Sequence, residues 1–187
     1  INLSALIDIT YSHEATESYV DTNIKGLLNL MNACKIKQKK IIHTSTSEVY
    51  GTAQFVPISE KHPLSGQSPY SASKIAADQI AYSYFSSFDL PVSICRPFNT
   101  YGPRQSMRAV VPTIILQLLS GKNNVKLGNI YSTRDFNFIK DTVNGFIAIM
   151  LNDKNNGEVY NIGSTFEIDI KSTFKLISKI MNPSAEL

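Results

Sequence analysis

Short β-branched segments alternate along this chain with longer segments of helical periodicity. The predicted strands include KKIIHTS (39–45), PVSICRPF (91–98) and GEVYNIG (157–163). The predicted helices span 17–35, 68–88, 110–122, 140–151 and 170–181. Strands that alternate with helices build a parallel sheet from βαβ units. The sequence therefore predicts an α/β fold.

Two further segments are predicted to be short strands, INLSAL (1–6) and NVKL (124–127). In the helix predicted over 17–35, five apolar residues fall at the spacing of one helical face. They are Val20, Ile24, Leu27, Leu28 and Met31.

Composition narrows the function classes. The 187 residues are 43% hydrophobic and carry a net charge of +3, which suits a soluble globular protein and is too slight a charge to indicate nucleic acid as a partner. No apolar run approaches the roughly 20 residues that cross a bilayer. Cys34 and Cys95 lie far apart in apolar stretches and are predicted to be buried thiols of a cytoplasmic protein. The three histidines share no metal-ligand spacing, so no metal is predicted.

Polar residues follow two of the predicted strands. TSTSE (44–48) comes after the first of them, and RPFNTYG (96–102) ends the second. Ligands of parallel sheets bind at the carboxyl ends of the strands. In YSASK, Tyr70 and Lys74 are four residues apart and face one side of a helix. A neighbouring ammonium favours the phenolate, which makes tyrosine a usable proton acceptor.

These motifs together resemble the extended short-chain dehydrogenase/reductase superfamily of nucleotide-sugar epimerases and dehydratases. The resemblance covers essentially the whole chain. It is carried by NLSAL (2–6), NIKGLLNL (23–30), STSEVYG (45–51), YSASK (70–74), RPFNTYGPR (96–104), TRDFNFIKDTVNGF (133–146) and GEVYNIGS (157–164).

The resemblance implies a Rossmann-like parallel sheet, NAD as cofactor and a role in cell-surface polysaccharide biosynthesis. It makes Tyr70 the base for the sugar hydroxyl. Lys74 would hold the nicotinamide ribose and lower the pKa of Tyr70, while Thr46 would hydrogen-bond the oxygen being oxidised. Ala5, in the segment similar to the family's HLAA-like strand end, and Pro97 are the further residues implied to contact the cofactor.

The implied substrate is a nucleotide-diphosphate sugar. Asn99, Arg104 and Arg134 are the residues that the resemblance assigns to its diphosphate. Arginine suits this role because its planar fork makes paired, charge-assisted hydrogen bonds to phosphate oxygens.

Glu48 separates two reactions within the superfamily. An epimerase only removes a hydride from the sugar C4 and returns it to the other face, whereas a 4,6-dehydratase also needs a base for the C5 proton. Thr46-Ser47-Glu48 resembles the dehydratase pattern of GDP-mannose 4,6-dehydratases, with Glu48 as that base. The dTDP-glucose enzymes have Thr-Asp-Glu, so Ser47 leaves Glu48 or a water as the general acid. The finer similarity is to N-acetylglucosamine nucleotide 4,6-dehydratases of legionaminic-acid-type pathways.

Two alternatives stay open at this point, a 4-epimerase and a non-catalytic fragment or assembly module. None of the nine glycines forms a GxG, so the glycine-rich turn of the dinucleotide fingerprint is absent from the sequence. We therefore expect a fragment that begins near the family's fourth strand, lacks the N-terminal glycine-rich βαβ unit and binds NAD poorly in isolation. Residues 1–110 are predicted to be the rest of the Rossmann-like domain, and 111–187 an incomplete mixture of substrate-binding region and returning Rossmann elements.

Assembly is also predicted from the resemblance. Family members pair through two long helices, which correspond here to 17–34 and 70–88. These helices carry apolar residues expected to serve both a core and a partner, so a homodimer is predicted. The residues are Leu30, Met31, Ile80 and Tyr84.

Overall fold

The computed structural model describes all 187 residues, which form two compact units. The first unit contains residues 1–98 and 142–162, and the second contains 99–141 and 163–187. The sequence predicts a division at residue 110, whereas the second unit begins at residue 99. The chain returns to the first unit because a late strand pairs with an early one there.

The elements follow one another in an alternating order. In chain order they are α1 (Ile9–Glu14), α2 (Thr16–Tyr19), a π-helix (Val20–Lys25), α3 (Gly26–Lys37), β1 (Ile41–Thr44), a 3-10 helix (Ser47–Tyr50), α4 (Pro69–Phe88), β2 (Val92–Pro97), β3 (Asn99–Tyr101), α5 (Val110–Leu119), β4 (Thr133–Phe138), α6 (Ile139–Leu151), a second 3-10 helix (Asp153–Asn155), β5 (Val159–Ile162), β6 (Glu167–Asp169) and α7 (Ile170–Met181). No helix is both long enough and apolar enough to cross a bilayer.

The first unit is built on a parallel sheet in the order β1-β2-β5. Side chains alternate between its two faces, as they must along a strand. Ile41 and Val92 pack into a core with α3 and α4, while Ile42 and Cys95 pack against Phe146 of α6. A sheet covered on both faces needs continuous apolar strands, which explains the runs in the sequence. The predicted α/β fold and parallel sheet are confirmed.

The N-terminal segment is not the predicted strand. Asn2 alone forms a parallel bridge with His43, through a hydrogen bond from its backbone N–H to the Ile42 carbonyl oxygen at 2.9 Å. NVKL is likewise reduced to one bridge between Asn124 and Glu186. Apolar content alone does not make a strand where few backbone partners are in register.

The helix predicted over 17–35 is interrupted by the π-helix. Its buried residues recur every four positions, as Tyr19, Asn23, Leu27 and Met31. Val20 and Leu28, which are predicted to be on the buried face, are each 37% exposed. The wider π turn changes which side of the helix meets the core.

The second unit has a mixed sheet in which β3 is parallel and β6 antiparallel to β4. Neither of these three-residue strands is predicted from the sequence. Helices α5 and α7 enclose a small apolar cluster that includes Ile114 and Phe174. The carboxylate of Asp135 on β4 accepts hydrogen bonds from the backbone N–H groups of Ser164 and Thr165, which fixes the turn before β6.

The two cysteines differ in burial. Cys95 is fully buried in β2, as predicted, whereas Cys34 on α3 is only half-buried, although it packs against the core that α3 and α4 share. Neither forms a disulfide.

Candidate active site

Helix α4 begins immediately before the YSASK motif. Ser68 is its N-cap and exchanges hydrogen bonds with Ser71 in a capping box, and Pro69 occupies the first turn. The helix is continuous to Phe88, so Tyr70, Lys74 and Asp78, at intervals of four residues, lie on one face. All three side chains are buried.

The end of β1 brings Thr46 to this face of α4. The backbone N–H of Ser45 donates to the Cys95 carbonyl oxygen at 2.7 Å, which holds the strand end in the sheet. Thr46 has an extended backbone and caps the following 3-10 helix, because its Oγ1 accepts a hydrogen bond from the Glu48 N–H at 3.2 Å. Thr46 and Glu48 therefore have a fixed relative position.

Lys74 is tied to the same strand end. Its Nζ donates to the backbone carbonyl oxygen of Thr44 at 2.6 Å, and the side chain is 3% exposed. Burial lowers the pKa of Lys74 to about 8, although the negative charge of Asp78 opposes that shift. An ammonium with three N–H donors has two left after the bond to Thr44.

Tyr70 is buried beside Thr46 and Glu48. Burial raises the pKa of Tyr70 to about 12, a hydrogen bond with Thr46 acts in the opposite direction, and the charge of Glu48 raises the pKa further. The ring of Tyr19 meets the Tyr70 ring edge-on, with the centroids 6.3 Å apart. The expected lowering of the Tyr70 pKa by Lys74 is not met in this structure, because burial outweighs the neighbouring polar groups.

Glu48 is half-buried in the 3-10 helix. Its charge acts on Tyr70, which places the carboxylate near the phenol rather than out in a remote loop. The structure thus brings together the four residues predicted to be catalytic, Thr46, Glu48, Tyr70 and Lys74.

A buried ionic network behind these residues is not predicted from the sequence. Asp78 Oδ2 accepts hydrogen bonds from Ser45 Oγ at 2.9 Å, from Arg96 Nε at 3.0 Å and from Arg96 Nη2 at 2.9 Å. Arg96 Nη1 donates to the Tyr50 hydroxyl at 3.0 Å, and that hydroxyl donates to Asn161 Oδ1 at 2.6 Å. The sequence feature that could have indicated this network is a charged residue within an apolar helix, Asp78, and another within an apolar strand, Arg96.

The electrostatics of the network are set by burial. Burial lowers the pKa of His43, whose Nε2 lies 3.4 Å from Asp78 Oδ1. Burial alone raises the pKa of Asp78, but the neighbouring imidazole and guanidinium outweigh it and hold that pKa below its usual value. Asp78 is therefore a carboxylate at neutral pH, and His43 is a neutral, structural histidine. His62 is also buried, and His13 is exposed.

The two other residues predicted to contact the cofactor lie in the first unit. Ala5 is half-buried beside Leu6, whose backbone N–H and carbonyl oxygen are both bound by the side-chain amide of Asn23. Asn23 also donates to Ser73 Oγ at 2.9 Å, which ties the Ala5 segment to the YSASK motif. Pro97 is half-buried at the end of β2.

The three residues predicted to bind the diphosphate all belong to the second unit. Asn99 begins β3 and is half-buried. Arg104 is exposed with a left-handed backbone, at φ 69°. Arg134 is exposed on β4, where Nη1 donates to the Thr133 carbonyl oxygen at 2.7 Å.

Comparison with known proteins shows the family of the chain. The family model described as GDP-mannose 4,6 dehydratase matches residues 1–186. The dTDP-D-glucose 4,6-dehydratase of Dictyostelium discoideum is 37% identical over 98% of this chain and 44% of its own length.

Solved structures give the same result. The UDP-glucuronic acid 4-epimerase of Bacillus cereus, solved with UDP-glucuronic acid and NAD, superimposes with a TM-score of 0.87 at 33% identity, covering 96% of this chain and 59% of that one. The dTDP-glucose 4,6-dehydratase DesIV of Streptomyces venezuelae, solved with NAD bound, gives a TM-score of 0.87 at 26% identity, covering 97% of this chain and 56% of that one.

The chain spans about half the length of the curated relatives it matches, for example 44%, 58% and 51% of three of them. Those relatives and structures include both dehydratases and epimerases. The Rossmann-like sheet and the match over residues 1–186 show that the chain belongs to the GDP-mannose 4,6 dehydratase family.

Proposed function

We propose that the natural protein containing this chain is an NAD-dependent nucleotide-sugar 4,6-dehydratase. The observation that carries the proposal is the carboxylate of Glu48, half-buried two residues after Thr46 and close enough to Tyr70 for its charge to act on the phenol. Oxidation at C4 makes the C5 proton acidic, and a positioned carboxylate is a suitable base for it. Epimerisation at C4 has no use for that base.

The other three residues serve the oxidation at C4. Tyr70 takes the proton of the C4 hydroxyl, and Thr46, in hydrogen-bond contact with Tyr70, binds the same sugar oxygen. Lys74 supplies a positive charge beside Tyr70 and binds the nicotinamide ribose with its two remaining donors. The high pKa of Tyr70 makes the phenol a proton donor at rest, so proton removal depends on these neighbours.

The residues present suit the nicotinamide half of NAD. Besides the free donors of Lys74, the hydroxyl of Thr44 is buried without a hydrogen-bond partner at the end of β1. Ala5 and Pro97 would line the cofactor at the neighbouring strand ends. When bound, NAD would accept the hydride from C4 and return it to C6. Relatives of known structure with NAD bound support this assignment.

The substrate is proposed to be a nucleotide-diphosphate sugar. Asn99, Arg104 and Arg134 would bind the diphosphate, and the two guanidinium groups are exposed, with most of their donors available to a ligand. Ser47 lacks an acidic proton, so we assign protonation of the leaving C6 hydroxyl to Glu48, which would pass on the proton taken from C5.

A 4-epimerase is the second candidate. It is favoured by Ser47, which stands where the Thr-Asp-Glu pattern has its general acid, and by the similarity to a UDP-glucuronic acid 4-epimerase. The two functions differ in product, because only a dehydratase forms a 4-keto-6-deoxy sugar.

Incubation of the complete natural polypeptide with NAD and a panel of UDP-, GDP- and dTDP-sugars tests the proposal. The panel includes UDP-N-acetylglucosamine, the substrate class of the finer resemblance. We expect a 4-keto-6-deoxy product, detected by mass spectrometry as the loss of one water. A C4-inverted sugar of unchanged mass would establish the epimerase, and no turnover of any sugar would favour a non-catalytic module.

Assembly as a homodimer through α2, the π-helix, α3 and α4 is part of the proposal. Met31 and Tyr84, predicted to serve both core and partner, are buried in the core. The apolar side chains exposed on these helices are Val20, Leu28, Ile36, Tyr82 and Phe88. Leu28→Glu and Tyr82→Glu should therefore shift sedimentation from dimer to monomer, whereas Leu176→Glu, on α7, should not.

We also propose that the protein acts in the cytoplasm, in the synthesis of sugar nucleotides for surface polysaccharides. Two unpaired cysteines suit a reducing compartment. Fractionation of cells that express the natural gene would test the compartment.

A further inference from the structure

The buried pair of Asp78 and Arg96 is not used in the chemistry proposed above. A carboxylate 1% exposed and a guanidinium 4% exposed are costly to bury, and such pairs contribute little net stability compared with apolar residues. Both Arg96 bonds and the Ser45 bond converge on Oδ2 of Asp78. This geometry connects three elements of the site, namely the end of β1, helix α4 and strand β2.

Asp78 is linked to the candidate site through Ser45 and through its position on α4. Ser45 immediately precedes Thr46, so its bond to Asp78 fixes the strand end that carries Thr46. Lys74 lies one helical turn before Asp78 on the same face of α4, and the carboxylate is the one charged group that favours the ammonium there. Arg96 Nη2 lies 2.9 Å from Asp78 Oδ2, and its charge helps to hold the pKa of Asp78 below its usual value.

We propose that Asp78 is a positioning residue of the reaction: its bond to Ser45 holds Ser45–Thr46 against α4, and its carboxylate places a negative charge one helical turn from Lys74 on the same face of the helix. The proposal deepens the proposed function and rests on it for the role of Lys74. Asp78 itself does not touch the substrate.

The surroundings of Lys74 make Asp78 the controlling charge. The titratable or charged groups that meet this part of α4 are His43 of β1, Glu48 of the 3-10 helix, Tyr19 of α2 and Arg96 of β2. His43 is neutral, and among the charged groups it is the Asp78 carboxylate, rather than Glu48 or Arg96, that shifts the pKa of Lys74. Helix α3 contributes apolar side chains to this packing.

Asp78→Asn removes the negative charge of the side chain but can keep its hydrogen bonds. The amide oxygen can accept the bonds now made to Oδ2, and the amide nitrogen can donate to His43 Nε2, which lies 3.4 Å from Oδ1. The titration of Lys74 is followed in the complete natural polypeptide by NMR of ¹³C-labelled lysine side chains, assigned with Lys74→Met. The parent midpoint is expected at about pH 8.

In Asp78→Asn the midpoint of Lys74 should fall by about one pH unit, because the opposite charge one helical turn away is lost. The alkaline limb of the pH–rate profile for the sugar nucleotide should move down with it, and Asp78→Glu should restore both toward the parent. Ser93→Ala is the control, because it removes a buried bond to the Asn155 carbonyl oxygen in the same unit without changing a charge. It should lower stability and leave the Lys74 midpoint in place.

A folded Asp78→Asn protein with the parent midpoint for Lys74 would overturn the proposal. Where that variant does not fold, the double variant Asp78→Asn/Arg96→Met removes both charges and leaves no unpaired guanidinium. Its Lys74 midpoint must still lie below that of the parent, although the fall should be smaller because the loss of the guanidinium acts in the opposite direction. The NMR titration is made without substrate. Failure of the proposed function, seen as no turnover by the parent protein, is therefore distinct from failure of this inference.

Discussion

The Nζ atom of Lys74 lies 2.6 Å from the backbone carbonyl oxygen of Thr44, to which it donates a hydrogen bond. This bond joins helix α4 to the carboxyl end of β1, where Thr46 and Glu48 follow. It also places the ammonium in a buried position, so the protonated form of Lys74 destabilises the folded protein more than the neutral form does.

The free energy of unfolding should depend on pH through Lys74. Its pKa is lowered from 10.5 to about 8. Below about pH 8 the folded and unfolded states are both protonated, and the cost of burying the ammonium is fully present. Between that pH and the unfolded value the folded state loses its proton first, so stability rises by up to about 1.4 kcal/mol per pH unit.

Lys74→Met isolates this contribution. The pKa values of Tyr70 and Cys95 are both raised to about 12, so these groups remove stability as the pH rises. Cys95 acts equally in both proteins, and Tyr70 loses its proton in the unfolded state only near its ordinary pKa of 10.0, so the difference is read between about pH 8 and about pH 9. Urea unfolding at a series of pH values gives the free energy of unfolding of each protein. The value for the parent minus that for the variant should increase above about pH 8. A constant difference would mean that Lys74 is not buried as an ammonium.

Glu48→Gln should block dehydration after the oxidation step. Glutamine keeps the size and hydrogen-bonding reach of the side chain but is not a base, whereas Thr46, Tyr70 and Lys74 remain. Nicotinamide absorbance should show reduction when sugar nucleotide is added, while exchange of the C5 proton with deuterium falls by about a hundredfold to ten-thousandfold.

Tyr70→Phe is the matched comparison for Glu48→Gln. It removes the group that takes the C4 proton, so cofactor reduction and C5 exchange should both be suppressed. Parent rates of exchange and product release in Glu48→Gln would mean that Glu48 has no part in the chemistry and would favour the epimerase.

Thr46→Val should weaken both the strand end and the reaction. It deletes the cap on the Glu48 N–H and the hydrogen bond that lowers the pKa of Tyr70. The loss of the cap should cost about 1 kcal/mol of stability, and the loss of one hydrogen bond should lower the oxidation rate by about tenfold. Thr46→Ser retains the hydroxyl and should stay close to the parent in denaturant midpoint and rate. A purely steric role for Thr46 would give the opposite result, because valine keeps the shape of threonine and serine lacks the methyl group.

Gly145→Ala should destabilise the first unit although alanine is the better helix former. A Cβ at Gly145 would lie 2.6 Å from Cδ1 of Ile162, where α6 crosses β5. Helix propensity favours alanine by about 1 kcal/mol, but overpacking costs about 1–3 kcal/mol. We therefore expect a net loss of stability, measured as a lower free energy of unfolding in chemical denaturation.

Ile162→Val removes the Cδ1 atom and supplies the control for Gly145→Ala. In the Ile162→Val background the alanine substitution should cost less, or even stabilise, and the double-mutant cycle should give a favourable coupling. Equal effects in both backgrounds would mean that the loss of stability in Gly145→Ala does not arise from contact of the new Cβ with Cδ1 of Ile162.

The sequence alone determined the elements whose signals are local. Strands β1, β2 and β5 were predictable because buried strands of a parallel sheet need continuous β-branched runs, and α4 because Ser68 and Pro69 mark its start. Continuous helix over four residues places Tyr70 and Lys74 on one face by geometry alone. The association of both residues with Thr46 and Glu48 was implied by the resemblance to the superfamily, because no local pattern relates a helix to the strand end on which it packs.

Tertiary structure decided what depends on partners distant in sequence. The pairing of Asp78 with Arg96 requires α4 to lie across β2 in one register, and no local pattern specifies that register. The π-helix, which turns Asn23 inward and Val20 outward, is likewise fixed by packing. The pKa of Tyr70 moved opposite to the expectation because sequence spacing places the ammonium nearby but only the packed core determines how much water the phenol loses.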